Sequence, residues 1–559
     1  MITWLAMSSR QACLRASLAG KLPLLAGAVL VGCLLALSSG CGGAGVAKGE
    51  LRLNLGGDAV SVDPAHAWSG ASLDLCRALF AGLTDVDGTG KIVPALAREW
   101  DVSADGRVHT FQLRRDAFWS DGSRVTAQDV RYGFLRTLDA STGARYPAVL
   151  DELIVGAADY NQRHSDGPEG VGVRVLDSYT LEVSLLTPAV YFPAVATLNA
   201  FCPQPRRAVE MFGDGWTEPE HILTSGSYRL AEWRHGQSLT LERNVDYYGA
   251  RAVKNERVRF IMAPDPLAAL GMYERGELDS LYATGLPASE LGRVKGDEEL
   301  RKELRIVGLP RTFYLGFDAL SPPFDRPDVR RAFSAAIDRE RLASSVLGAG
   351  EEPALALRPP GAYGINGAPG EKTGIGFDAK KARSYLAAAG YPEGKSFPKT
   401  TLVYAADGTS EKVAAALTAM WREQLGVDVG MERRRAEDYL DSLSGEAPQA
   451  FLLWQTPEYP DGYSVLATFR PQSALNFGRY NSARFDGLLL DAAGEDDAGK
   501  RRRLYEQAER LLCREDSAVA PLFYGAEVQL TKPYLERTYR PCGGQRFQEW
   551  RLKGAREAH

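Results

Sequence analysis

Apolar and polar residues alternate in VHTFQLR (108–114), TLEVSLL (180–186) and SLTLERN (238–244). A period of two predicts half-buried strands at all three places. In TAQDVRYGFLRTL (126–138) the period lengthens. Thr126 is placed to cap a helix that carries Val130, Phe134 and Leu138 on one face. DVRRAFSAAIDRERL (328–342) reads as an amphipathic helix with Val329, Phe333 and Ile337 inward and Arg330 and Arg331 outward. A third helix is expected over 410–425, stopped by Gly426 and followed by a strand. SADG (103–106), WSDG (119–122) and DGTGK (87–91) carry turn chemistry, and the last reads as a polar hairpin turn rather than a phosphate loop. Short strands mixed with amphipathic helices, without repeats or low-complexity runs, predict an α/β or α+β chain. At 559 residues, two or three domains are expected.

The N-terminus breaks this texture. Residues 1–40 contain Arg10, Arg15 and Lys21, no acidic residue, and an uncharged apolar run over 22–37 interrupted by Pro23 and Gly27. A secretion signal is expected, with a spanning anchor as the alternative. Ser-Ser-Gly-Cys ends at Cys41 ahead of a glycine-rich tether (41–49), which makes Cys41 the expected lipidation site; LVGC, ending at Cys33, is the alternative. Acyl chains would hold the protein to a membrane without a spanning helix. Loss of 1–40 takes the formal charge from −5 to −8, which argues against a nucleic-acid partner. Cys76, Cys202, Cys513 and Cys542 are scattered, so one or two disulfides and buried thiols both fit.

Little catalytic chemistry is legible. The histidines, His66, His109, His164, His221, His235 and His559, are isolated from one another, with no partner at metal-ligand spacing. Nucleophile elbow, Walker loop and dinucleotide fingerprint are absent, so no enzyme activity, metal or cofactor is implied. Glu458 and Asp461 could in principle share acid/base work. More distinctive is LLWQTPEYPDGYS (452–464), where Glu458 lies between prolines and aromatics with no lysine or arginine near it in sequence.

Several blocks, in order, carry a family resemblance: VDPAHAW (62–68), the run from LFAGLTDVDGTGK to RYGFLR (79–136), SGSYRLAEW (225–233), YERGELDSLY (273–282), PPFDRPDVRRAFSAAIDRERL (322–342) and YNSARFDGLLLDA (480–492). Together the chain resembles the bacterial extracellular solute-binding proteins, family 5, the periplasmic receptors of peptide-type ABC transporters. The resemblance implies a mixed α/β, two-lobe architecture of the class II type with an additional third domain and a hinge. By analogy, the first lobe comprises 50–84, 216–310 and 526–559, the appended domain 85–215, and the second lobe 311–525. It also implies a monomer at the outer face of the membrane or in the periplasm, with a peptide ligand and membrane permease subunits as partners.

The family's oligopeptide binders read Trp-Cys-Ala-Asp-Tyr where this chain has Gln-Thr-Pro-Glu-Tyr, so Glu458 falls on the aspartate that meets a peptide's ammonium group and Tyr459 on the tyrosine. A carboxylate in a dry cleft needs a cation, and the ligand would supply it; an internal salt bridge or a solvated loop is the competing reading. The backbone of Trp454, Gln455 and Thr456 is expected to bond an extended peptide, and Trp68 to line the cleft. Leu443 and Leu452 stand where the resemblance expects arginines, Ala436 where it expects tryptophan and Ser410 where it expects histidine. Peptide C-terminus binding therefore does not carry over.

Overall fold

The computed structural model describes residues 49–58, 61–68, 70–144, 149–165, 167–360, 372–445, 448–540 and 544–553. Cys33, Cys41, most of the tether and Cys542 lie outside them. The first sheet orders Glu50–Leu55, Arg257–Met262, Ser238–Arg243 and Tyr228–Arg234, its first pair parallel and the others antiparallel. A second, fully antiparallel sheet orders Ala97–Val102, Val108–Leu113, Thr180–Ser184 and Val173–Asp177. The alternation at 108–114 is realised here, because His109, Phe111 and Leu113 turn inward while their neighbours are half-buried. The DGTGK turn joins the short antiparallel pair Thr84–Val86 and Ile92–Pro94, with Asp87 accepting from the amides of Thr89 and Lys91.

The third sheet is mixed: Glu352–Pro353, Val519–Leu530, Leu304–Phe317, Ala450–Gln455, Thr400–Ala405 and Val429–Arg434. Its two long strands, Leu304–Phe317 and Val519–Leu530, pair antiparallel and enter two cores. At one end Leu304 and Leu530 pack with Tyr273 and Leu278; at the other Phe313, Leu315, Phe317 and Phe523 pack with Phe333 and Trp421. Each such side chain contributes about 1.5–3 kcal/mol on burial. Between the cores the ladder shifts register from Gly308 to Thr312, and again from Phe313 to Tyr314, which bends the pair and re-aims the side chains beyond.

Local signals explain the helices. In Ala127–Leu138 the amide and hydroxyl of Thr126 donate to Asp129 at 2.8 and 2.7 Å, closing the first turn. Gly408–Leu425 starts ahead of the expected Ser410, because Asp407 caps it by accepting from the amides of Thr409 and Ser410 at 3.0 and 2.8 Å. It stops at Gly426, whose φ of 70° favours glycine, and the strand Val429–Arg434 follows as expected. Pro327–Ala335 buries Val329 and Phe333, but the expectation of an outward Arg330 fails. That residue is buried and its guanidinium donates to the carbonyls of Asp516 and Phe324. Those carbonyls solvate the charge, so an arginine fits an inward position that periodicity reserves for apolar residues.

Cys76, Cys202 and Cys513 are buried free thiols, so among the described cysteines the thiol alternative holds. Among the described residues no helix is long and apolar enough to cross a membrane, and no cluster of His, Cys, Asp or Glu could hold a metal ion.

Candidate functional site: an acidic cleft

The segment after the strand Ala450–Gln455 leaves the third sheet at Thr456 and is folded back by short-range bonds. The Glu458 amide donates to Ser464 Oγ at 2.8 Å. Asp461 caps Gly462–Leu466 and accepts from the Tyr505 hydroxyl at 2.6 Å. Asp461 is thus committed to holding the turn and is not free for acid/base work beside Glu458. From the other side Tyr191 stacks on Tyr463 and Tyr459, at centroid distances of 4.8 and 5.9 Å. These contacts fix the backbone and leave the Glu458 side chain pointing into a cleft.

Two cavities meet at Glu458. The larger, about 580 Å³, lies between Ala67–Trp68, Leu198–Ala200, Val307–Pro310, Thr456–Pro460 and Gln545–Arg546. The smaller, about 430 Å³, reaches along Trp454 and Leu452 toward Ser410 and Ala436, with Glu152 on its wall. Thr456, Glu458 and Tyr459 line both.

Glu458 is open to cleft water yet surrounded by protein on most sides. Desolvation, and then the neighbouring charge of Glu152, push its pKa above the ordinary glutamate value. It forms no ion pair with any described residue, so the internal salt-bridge reading has no support among them. The other expected site residues divide. Thr456 is exposed in the cleft and Gln455 is buried on the wall of the smaller cavity. Trp454 is half-buried, held by Phe313 at 4.6 Å and by the Arg311 guanidinium at 4.2 Å. Tyr459 is buried and chiefly packs against Tyr191. Trp68 lines the larger cavity at 51% exposure.

Trp68 is placed by its own turn. Asp63 accepts two hydrogen bonds from Arg136, at 2.8 and 2.7 Å, one from the Trp216 indole at 3.0 Å and one from the Ala65 amide at 2.9 Å. Burial alone would raise its pKa, but its bonds to His66 and Arg136 hold it well below the ordinary carboxylate value.

Of the four departures noted in sequence, Leu452, Ala436 and Ser410 line the smaller cavity, while Leu443 is buried in the core. No lysine or arginine stands among the described residues lining that cavity. Sequence reasoning missed Glu152 and Glu527, the latter on the wall of the larger cavity. Neither has a local signal, since only chain folding brings them to the walls of the cavities that Glu458 lines.

Comparison with known proteins identifies the family and the fold. Residues 91–477 match the family described as bacterial extracellular solute-binding proteins, family 5 Middle. The periplasmic oligopeptide-binding protein OppA of Salmonella typhimurium is 32% identical over 87% of this chain and 89% of its own length. The probable deoxycholate-binding periplasmic protein YgiS of Escherichia coli is 29% identical over 87% and 89%. Among solved structures, the unliganded open form of the murein tripeptide binding protein MppA superposes with a TM-score of 0.79, at 28% identity, over 90% of this chain and 98% of that one. The two-lobe, mixed α/β architecture with a hinge is therefore that of periplasmic binding proteins, and this chain belongs to the bacterial extracellular solute-binding proteins, family 5.

Proposed function

We propose that the chain is a lipid-anchored receptor on the outer face of the membrane that captures peptides between two closing lobes and delivers them to the permease of an ABC importer. The observation that carries this reading is the Glu458 carboxylate, set in the cleft on a backbone held by Ser464, partly desolvated and without a cation among the described residues. A peptide's terminal ammonium satisfies it with charge-assisted hydrogen bonds. In this reading Trp454, Gln455 and Thr456 offer backbone groups to the peptide, Tyr459 holds the turn, and Trp68 covers the ligand. Lobe I is 50–84, 216–310 and 526–559, the appended domain 85–215, and lobe II 311–525. This division is supported by the three larger sheets, one lying mainly in each part, with the long pair Leu304–Phe317 and Val519–Leu530 crossing from lobe II into lobe I. Register shifts in that pair are where closure would bend it. Cys41, with Cys33 as the alternative, carries the lipid.

A non-peptide solute is the second reading, favoured by the loss of basic residues at Leu443 and Leu452 and by the likeness to YgiS. An anionic steroid, however, finds no cation on the smaller cavity's described wall. Non-denaturing mass spectrometry of the mature chain, with release and sequencing of co-purified species, tests the choice. Short peptides with free amino termini support capture of peptides; a single non-peptide species, or amine-blocked peptides, overturns it.

A further inference from the structure

The charges lining the two cavities are unevenly neutralised. In the larger cavity each described arginine is already paired: Arg77 with Asp74 at 3.3 Å, Arg540 with Glu549, and Arg546 with Asp85. Glu527, on the same wall, forms no ion pair among the described residues and accepts from the Gln529 side-chain amide at 2.7 Å. In the smaller cavity Asp407 is spent capping its helix, whereas Glu152 and Glu458 pair with no cation among the described residues. Three arginines lie close without lining either cavity, one of them Arg537, which donates to Ser280 Oγ at 2.9 Å and to Gln545 at 3.3 Å. Arg470 donates to the Tyr463 hydroxyl at 3.0 Å and lies 3.8 Å from Asp486, while Arg311 stacks on the Trp454 ring at 4.2 Å. Desolvation raises the pKa of each unpaired acid, and the fields of Arg470 on Glu152, and of Arg537 and Arg311 on Glu527, only partly offset it.

Three carboxylates, from the appended domain, the second lobe and the long strand between the cores, thus converge on one cleft whose lining arginines are consumed. One ammonium neutralises Glu458 alone. The like charges left repel one another, and repulsion in a partly desolvated cleft is stronger than in water. A ligand carboxylate entering the smaller cavity meets apolar side chains, neutral donors such as Ser410 and Gln455, and further acids, with no cation among the described lining residues to pair with it. We propose that the cleft selects ligands bearing at least two positive charges, a terminal ammonium and one or more basic side chains, with Glu152 and Glu527 as the specificity-determining carboxylates beside Glu458. This rests on the peptide reading and names the peptide class.

The test is calorimetric titration of the mature chain with Ala-Lys-Ala-Lys, Ala-Gln-Ala-Gln and Ala-Glu-Ala-Glu, at low and high salt. The basic peptide is expected to bind at least tenfold tighter than the neutral one and the acidic one weakest, with the preference shrinking in high salt. E152Q and E527Q should each reduce the basic-to-neutral ratio at least threefold. Equal binding of all three peptides, or tighter binding of the acidic one, overturns the charge selectivity and leaves peptide capture standing. No binding of any peptide overturns both. A preference that persists unchanged in both variants removes Glu152 and Glu527 from the role. If a variant fails to fold, the salt dependence of the unaltered protein decides whether the preference is electrostatic.

Discussion

Arg136 grips Asp63 through both terminal guanidinium nitrogens, at 2.8 and 2.7 Å, tying the turn that carries Trp68 to the helix Ala127–Leu138. Both partners are largely out of water. Removing one partner of such a pair costs about 3–5 kcal/mol, because the other is left charged and buried. R136L is therefore expected to lower the unfolding free energy by about that much in urea titrations. Unchanged stability would show that the pair is compensated elsewhere.

The same pair sets a pH dependence. Asp63's pKa is lower folded than unfolded, so its contribution is fully present above the ordinary carboxylate value of 3.8 and is lost as pH falls below it. Melting temperature followed downward through that range should fall more steeply for the parent protein than for R136L.

At Glu458 the sign is opposite. Its folded pKa lies above 4.5, so the unliganded protein bears the cost of the charged form at neutral pH and sheds it as pH falls. E458Q removes that cost, so it is expected not to lower the unliganded melting temperature while weakening an amine-bearing ligand at least tenfold, about 1.4 kcal/mol. Lost stability with unchanged affinity would make the residue structural.

Affinity for a peptide with a free amino terminus should also drop as pH is lowered toward Glu458's raised pKa, while the ammonium itself stays charged. The loss should begin at higher pH than a free glutamate would give. E458Q should flatten that profile, and a profile identical in both proteins would place the titrating group elsewhere.

Burial pushes the thiol pKa up at Cys76, Cys202 and Cys513, at Cys202 to about 12. Alkylation of the native protein followed by peptide mass mapping should find these three unmodified, and all three modified after denaturation. Modification of the native protein at any of them would show local opening.

Much of the local structure was legible because it is encoded within a few residues. The alternation at 108–114, the Thr126–Asp129 capping box and the stop at Gly426 depend on neighbours along the chain. So does the polar hairpin turn over Asp87, whose carboxylate bonds its own loop. Resemblance in the ordered blocks gave the family, and placed Glu458 in a cleft before any geometry was known.

What the sequence by itself determined was which segments are strands or helices and which face of each seeks burial, since the periods of 2 and 3.6 follow from backbone geometry. Only the tertiary structure decided what each face meets. It turned Arg330 inward onto the carbonyls of Asp516 and Phe324, committed Asp461 to Tyr505, and stacked Tyr191 on the turn bearing Glu458. It also brought Glu152 and Glu527 to the cleft while pairing off its arginines. Charge neutralisation acts through space between residues far apart in the chain, so no local pattern records it.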